Sequence, residues 1–283
     1  MYQWLRKENR NPMTEITRNG VTYLSFPALE ESGMVRHGFS TRMGGVSKGP
    51  YSTMNFSFTR GDDPEAVKEN YRRMAAALGV EMERMVLTWQ THTTNVRLVT
   101  EEDAGKGVVR ERDYRDVDGL VTDIPGMTLV TFFADCVPLY FLDRKNRAIG
   151  LSHSGWRGTA ERMGQKTLDT MKEAFGTVPE DAIACIGPSI CRDCYEVGAE
   201  VIEKFAAGFM EKDHDRLFYR KENGRYQLDL WEANRLVLME AGVPENQISV
   251  TDICTRCNPE LLFSHRYSPE KRGNLCAFLC LKD

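Results

Sequence analysis

The sequence predicts an α+β fold of mixed β-sheets layered with flanking helices, and three observations carry that prediction. Short runs of β-branched and aromatic residues recur along the chain, as strands require. Between them lie longer stretches with helical spacing and recognisable caps. The two kinds do not alternate strictly, so separate sheets with helices outside them fit better than a doubly wound parallel sheet.

Residues 18–60 alternate short apolar runs with Gly and Ser and read as strands and loops, with turns at Gly44-Gly45 and Gly49-Pro50. Asp63-Pro64 then opens a helix, with Asp at the cap and Pro at the first position, and Gly79 ends it. Strands follow at Met85–Thr88, Asn95–Thr100, Met127–Ala134, Pro138–Leu142 and Ala148–Ser152. A helix is expected over 159–174, a strand at Ala182–Ile186 and a helix over 197–209. Asp229, with Glu232 three residues on, has the spacing of a capping box for a helix over 230–241. Ile248–Ile253 is the next strand.

A chain of 283 residues can bury a sizeable core. It carries no repeat and no Pro/Gly/Ser linker, so residues 13–283 are expected to form a single domain, preceded by a frayed segment 1–12. The net charge of -4 argues against a general nucleic-acid or anionic-membrane binder, which needs a basic face. The N-terminus has no apolar stretch to serve as a signal sequence, and the most apolar segment, Met127–Leu142, is too short to span a bilayer. The expected location is the cytoplasm. Eight cysteines in a reducing compartment are core filler, metal ligands or nucleophiles rather than disulfides.

Several chemistries lack their fingerprints. There is no Gly-x-Gly-x-x-Gly after a strand, no Walker-type loop and no His-Glu-x-x-His. Gly150–Ser154 misses a nucleophile elbow because its fifth residue is Ser. What remains is a set at strand ends: His92 in Trp89-Gln90-Thr91-His92, Cys136 after Ala134-Asp135, and His153 ahead of Ser154-Gly155-Trp156-Arg157-Gly158. Two imidazoles and a thiolate make a three-ligand zinc set with a fourth position open, or else a buried Cys and two core histidines. The Gly155–Gly158 turn, with Arg157 alongside, is a candidate anion site at a helix entry. Cys191-x-x-Cys194 and Cys254-x-x-Cys257 look like zinc knuckles, but 59 residues separate the pairs, so free thiols are the default expectation.

These residues lie in ordered blocks: His37–Ser47, Gly61–Pro64, Gln90–His92, Asp118–Thr122, Ala134–Pro138, His153–Gly158, Ile186–Ile190, Tyr195–Val197 and Phe263–Arg266. In this the sequence resembles the YfiH/YlmD-type family, long labelled laccase-domain or multicopper polyphenol oxidase proteins, from about His37 to Arg272. The resemblance implies a YfiH-like α+β domain with one catalytic metal, usually zinc, on His92, Cys136 and His153. It also implies phosphorolysis of adenosine, inosine, guanosine and methylthioadenosine, and deamination of adenosine. Departures from the family pattern are Thr93 for Gly, Ser154 for Ala, Tyr267 for Arg and Asn274 for Arg.

The preferred reading is therefore a zinc-dependent purine nucleoside enzyme, with copper as a possible substitute for the zinc. Arg42, Gly155, Arg157 and Gly158 are expected to hold phosphate, and Asp135 either acts as general acid/base or orients a ligand. The rival readings are a copper polyphenol oxidase, a hydrolase with Cys136 as nucleophile and a His base, and a metal-stabilised interaction module.

Overall fold

The computed structural model describes residues 2–7 and 13–283. Continuous apolar runs cannot present one face to water, so they need cover on both sides. Val137–Asp143 (β8), Ala148–Ser154 (β9) and Leu275–Leu281 (β15), apolar as far as Leu142, Leu151 and Leu281, are buried along their whole length, and each is an inner strand.

One six-stranded sheet joins β15 to Thr14–Arg18 (β1), Val21–Ser25 (β2), Val35–Ser40 (β3), Met85–Leu87 (β4) and Thr128–Phe133 (β7), in the order β1-β2-β3-β15-β7-β4. The second joins β8 and β9 to Val96–Leu98 (β5), Gly119–Thr122 (β6), Ala182–Ile186 (β10) and Ile248–Val250 (β14), in the order β14-β10-β8-β9-β6-β5. Both sheets are mixed: β4 with β7, β10 with β14 and β5 with β6 are parallel, and the other pairs antiparallel. A small sheet holds Glu196–Val197 (β11), Phe218–Arg220 (β12) and Tyr226–Leu228 (β13). Among the described residues, seven α-helices complete the fold: Pro27–Glu31 (α1), Pro64–Leu78 (α2), Trp156–Ala160 (α3), Met163–Phe175 (α4), Ala199–Gly208 (α5), His214–Leu217 (α6) and Leu230–Glu240 (α7).

Alternation along the strands sorts the core into layers. Leu129 and Leu279 of the first sheet meet Tyr140 and Leu151 of the second between the sheets. Their neighbours Val130 and Phe278 face outward onto Val67, Tyr71 and Met74 of α2. Leu139 and Phe141 face the other way, onto α4, α5 and α7 through Met171, Phe205 and Val237. The result is a helix–sheet–sheet–helix stack, the layered α+β arrangement expected.

Local signals hold where they are strong. Asp63 caps α2 by accepting from Glu65 N–H, and Gly79 ends it at φ 72°. Asp229 likewise accepts from Glu232 N–H at the start of α7. The helix expected over 159–174 is instead two helices, broken by Arg162 at φ 63°, whose guanidinium is held by Glu240 and the Gly208 carbonyl. The strand expected to reach Ile253 stops at Val250. Within the segment 1–12, residues 2–7 lie against the body of the protein: Arg6 pairs with Asp252 at 2.7 Å, and Leu5 N–H donates to Asn258. The rest of that segment lies outside the described residues. Among the described residues, no helix is long and apolar enough to cross a membrane.

Candidate metal centre

Three chain segments converge where the two sheets meet. His92 lies in the loop after β4, Cys136 between β7 and β8, and His153 near the end of β9. One ligand atom from each falls within 4.8 Å of the others. The rings of His92 and His153 meet edge to face with centroids 4.9 Å apart, and Phe133 packs against His153.

The His92 loop is held by side chains acting as backbone. Gln90 donates to the Phe132 carbonyl and accepts the Phe132 N–H, which extends the β4–β7 pairing by one rung. Beyond it His92 sits at φ 63°, a left-handed conformation that needs outside support. Asp118 supplies that support. Fully buried, it accepts the N–H groups of Thr91, His92 and Thr93 at 3.0–3.1 Å, and the Thr93 hydroxyl. Its Oδ1 also bonds His153 Nδ1 at 2.8 Å, and its carbonyl accepts the His153 N–H.

One carboxylate thus positions two of the three donors and leaves His153 Nε2 free for an ion, the arrangement that orients metal-bound histidines. Burial would raise the Asp118 carboxyl, but the bonds from His153, Thr91 and Thr93 outweigh it and hold it below the usual carboxylate range. Burial would likewise lower His153, yet the Cys136 sulfur and Asp118 raise it to about 9. Burial and the neighbouring His153 lower His92. A Cβ built on Gly155 would stand 2.9 Å from His92 Nδ1 and 3.1 Å from Cys136 Sγ, so the chain keeps that place free of side chain. These features fit a bound cation better than a packed core.

The donors open onto a cavity of about 400 Å³. Trp89, Phe58 and Phe133 give it aromatic walls, and Arg60, Arg112 and Arg272 give it positive charge. Arg112 lies over the Trp89 ring and donates to the Thr88 carbonyl. Arg272 is 7% exposed and its buried Nε has no hydrogen-bond partner among the described residues; burial and the nearby Arg60 lower its pKa to about 10, so it is still charged at neutral pH.

The other expected site residues are placed differently. Arg42 donates to the Ser52 and Pro259 carbonyls, stacks on Phe263 and does not line the cavity. Arg157 is exposed and lies over Trp156. Gly155 caps α3, which is only five residues long, and a Cβ at Gly158 would make only ordinary contacts. Asp135, at φ 87°, accepts from the Thr255 hydroxyl and from Arg266 N–H, both at 2.6 Å, which fits the orienting role better than proton transfer.

A family described as multi-copper polyphenol oxidoreductase laccase matches residues 36–282. The chain belongs to that laccase-type family. Within and around the family, the chain is 36% identical to purine nucleoside phosphorylase YlmD of Bacillus subtilis over 250 residues, 87% of this chain and 88% of that one. It is 36% identical to adenosine deaminase RL5 of an unknown prokaryotic organism over 231 residues, 81% and 87% of the two chains. The crystal structure of the Bacillus licheniformis protein YfiH superposes with a TM-score of 0.89 at 34% identity, covering 96% of this chain and all of that one. The group at this centre offers three ligand atoms, two from histidine and one from cysteine. His37, His214 and His265 all lie outside the cluster.

Proposed function

We propose that the chain is a cytoplasmic, zinc-dependent purine nucleoside enzyme. It cleaves adenosine, inosine, guanosine and methylthioadenosine with phosphate, and deaminates adenosine to inosine. The observation that carries this reading is the meeting of a three-donor set with a nucleoside-sized cavity whose wall is cationic. The names of the relatives, a purine nucleoside phosphorylase and an adenosine deaminase, support it.

His92, Cys136 and His153 hold the zinc, and one thiolate with two imidazoles suits that ion. A zinc ion held there supplies a Lewis acid and a means of activating water near neutral pH. Copper, higher in the Irving–Williams order, is a substitute on exposure to it. Asp118 fixes the His153 tautomer, and Asp135 anchors the Cys136 turn. In phosphorolysis, Arg60 and Arg272 hold phosphate against ribose C1′ while the C1′–N9 bond breaks. The base leaves with the bonding pair and takes up a proton, and ribose 1-phosphate forms. The arginines act by positioning and by charge. Arg157, beside Gly155, is the alternative phosphate ligand. In deamination, water adds at C6 of the base and ammonia leaves.

The test uses zinc-loaded, copper-free protein with adenosine or inosine, with and without phosphate. Phosphate-dependent release of free base, and inosine from adenosine without phosphate, are expected, both lost in His92→Ala. No turnover of any purine nucleoside, alongside phenol oxidation that scales with tightly bound copper, would overturn the reading.

A further inference from the structure

Four cysteines outside that centre are brought together by the fold. β10 and β14 pair in parallel, Ile186 beside Val250, and the chains continue side by side beyond the sheet. Thr251 N–H donates to the Ile186 carbonyl, and Thr255 N–H to the Ser189 carbonyl. Each strand therefore runs into its own Cys-x-x-Cys turn at the same height: Cys191–Cys194 after β10 and Cys254–Cys257 after β14. The 59 intervening residues, which form the small sheet and α5 to α7, loop out and return. Sequence distance was the only argument against a joint site, and the parallel pairing removes it.

The four Sγ atoms all lie within 4.8 Å of one another, with Cys194 and Cys257 at 3.5 Å. That separation is far beyond a disulfide bond of about 2.05 Å. It is close to the edge of about 3.8 Å for a tetrahedron of thiolates about 2.3 Å from a central zinc. Cys191 and Cys254 are buried, and Cys194 and Cys257 half-buried. The surroundings suit sulfur that carries negative charge. Cys191 N–H donates to Cys254 Sγ at 3.2 Å, and Arg256 Nη1 donates to Cys194 Sγ at 3.5 Å. Lys7 is fixed beside them by its 3.0 Å pair with Asp193. The contrast within the chain is informative: Cys185, Cys276 and Cys280 are buried singly as core filler.

We propose that Cys191, Cys194, Cys254 and Cys257 bind a second, structural zinc ion. Four thiolates select a soft divalent cation and close the coordination shell, leaving no position for water or substrate. The ion clamps both ends of the 59-residue excursion. It also steadies the other centre from behind, because Ile190 N–H donates to the Asp135 carbonyl and the Thr255 hydroxyl to its carboxylate.

The test separates the two centres. The His92→Ala/His153→Ala protein, purified without added metal, is expected to keep about one zinc per chain by elemental analysis, against about two in the unmodified chain. Its cobalt(II)-substituted form should show the intense near-ultraviolet sulfur-to-cobalt charge transfer of a four-thiolate site, a readout that needs no cysteine variant to fold. Cys254→Ser/Cys257→Ser should lose that zinc and the cobalt signature. Equal zinc in the unmodified chain and the double-histidine variant would support this site while counting against a metal at the other. A folded double-histidine variant without metal, its four thiols open to iodoacetamide or joined as disulfides, would overturn the proposal.

Discussion

Asp118 organises the candidate centre through bonds to three consecutive backbone N–H groups and to the ring and backbone of His153. One carboxylate therefore fixes the loop that carries His92 and the ring of His153 together. Asp118→Asn keeps the volume but loses the charge and some of the acceptor sites. It is expected to weaken zinc binding about 10- to 100-fold, the usual effect of losing such a partner, in competition with a chromophoric chelator. Unchanged affinity in a folded variant would show that His92 and His153 do not depend on it. The arginines allow a second test at this scale. Arg272→Gln should raise the KM for phosphate roughly ten- to a hundredfold with little change for nucleoside, as loss of a charge-assisted contact predicts. Arg157→Ala should leave both within about a factor of two, because this exposed side chain stacks on Trp156 at the surface and is worth little. The reverse pattern would move the phosphate to the Gly155–Gly158 turn.

Among the elements, β15 carries the first sheet. It is flanked by β3 and β7 and buried on both faces, with Leu279 toward the second sheet and Phe278 toward α2. Leu279→Ala should cost about 2–5 kcal/mol in denaturant unfolding, whereas Tyr219→Ala on exposed β12 should stay within about 0.5 kcal/mol. A loss under about 1 kcal/mol for Leu279→Ala would mean that the sheets can collapse around the gap. Legibility in the sequence also divides at this scale. α2 was legible because its signals, Asp63, Pro64 and Gly79, are local. The break at Arg162 was not, because a non-glycine residue is held in the left-handed region by partners on α5 and α7. A seven-residue apolar run such as β15 has no period that tells strand from buried helix. His92, Cys136 and His153 stand out in the sequence as donor residue types at strand ends, and the fold brings their ligand atoms within 4.8 Å of one another. Asp118's role was not legible, since its partners lie 25 to 35 positions away. The cavity arginines come from three separate loops, and only the fold assembles them.

Over the whole molecule, acid is expected to destabilise the fold through His37. Its Nε2 accepts the Phe26 N–H at 2.9 Å inside the first sheet, which makes Nδ1 the protonated nitrogen of the neutral ring. Burial, with a smaller effect from Lys282, lowers its pKa to about 3. The folded value lies below the unfolded one of about 6.5, so the unfolded chain binds the proton more readily. Stability is therefore full above about pH 6.5 and falls by roughly 1.4 kcal/mol per pH unit toward the folded value. His37→Gln, which keeps an acceptor for Phe26 but cannot titrate there, should flatten that decline in urea titrations between pH 7 and 4. An equal slope in both proteins would assign acid sensitivity elsewhere. The central place of β15 also sets the order of events during synthesis. β3 and β7 have no common neighbour until residues 275–281 leave the ribosome, more than 140 positions after β7. Up to that moment the nascent chain carries two open strand edges and a ligand loop whose Gln90 anchor is an unfinished strand. The candidate centre is therefore completed late in translation, and a premature stop before Leu275 is expected to leave a polypeptide with two open strand edges, prone to edge-to-edge association.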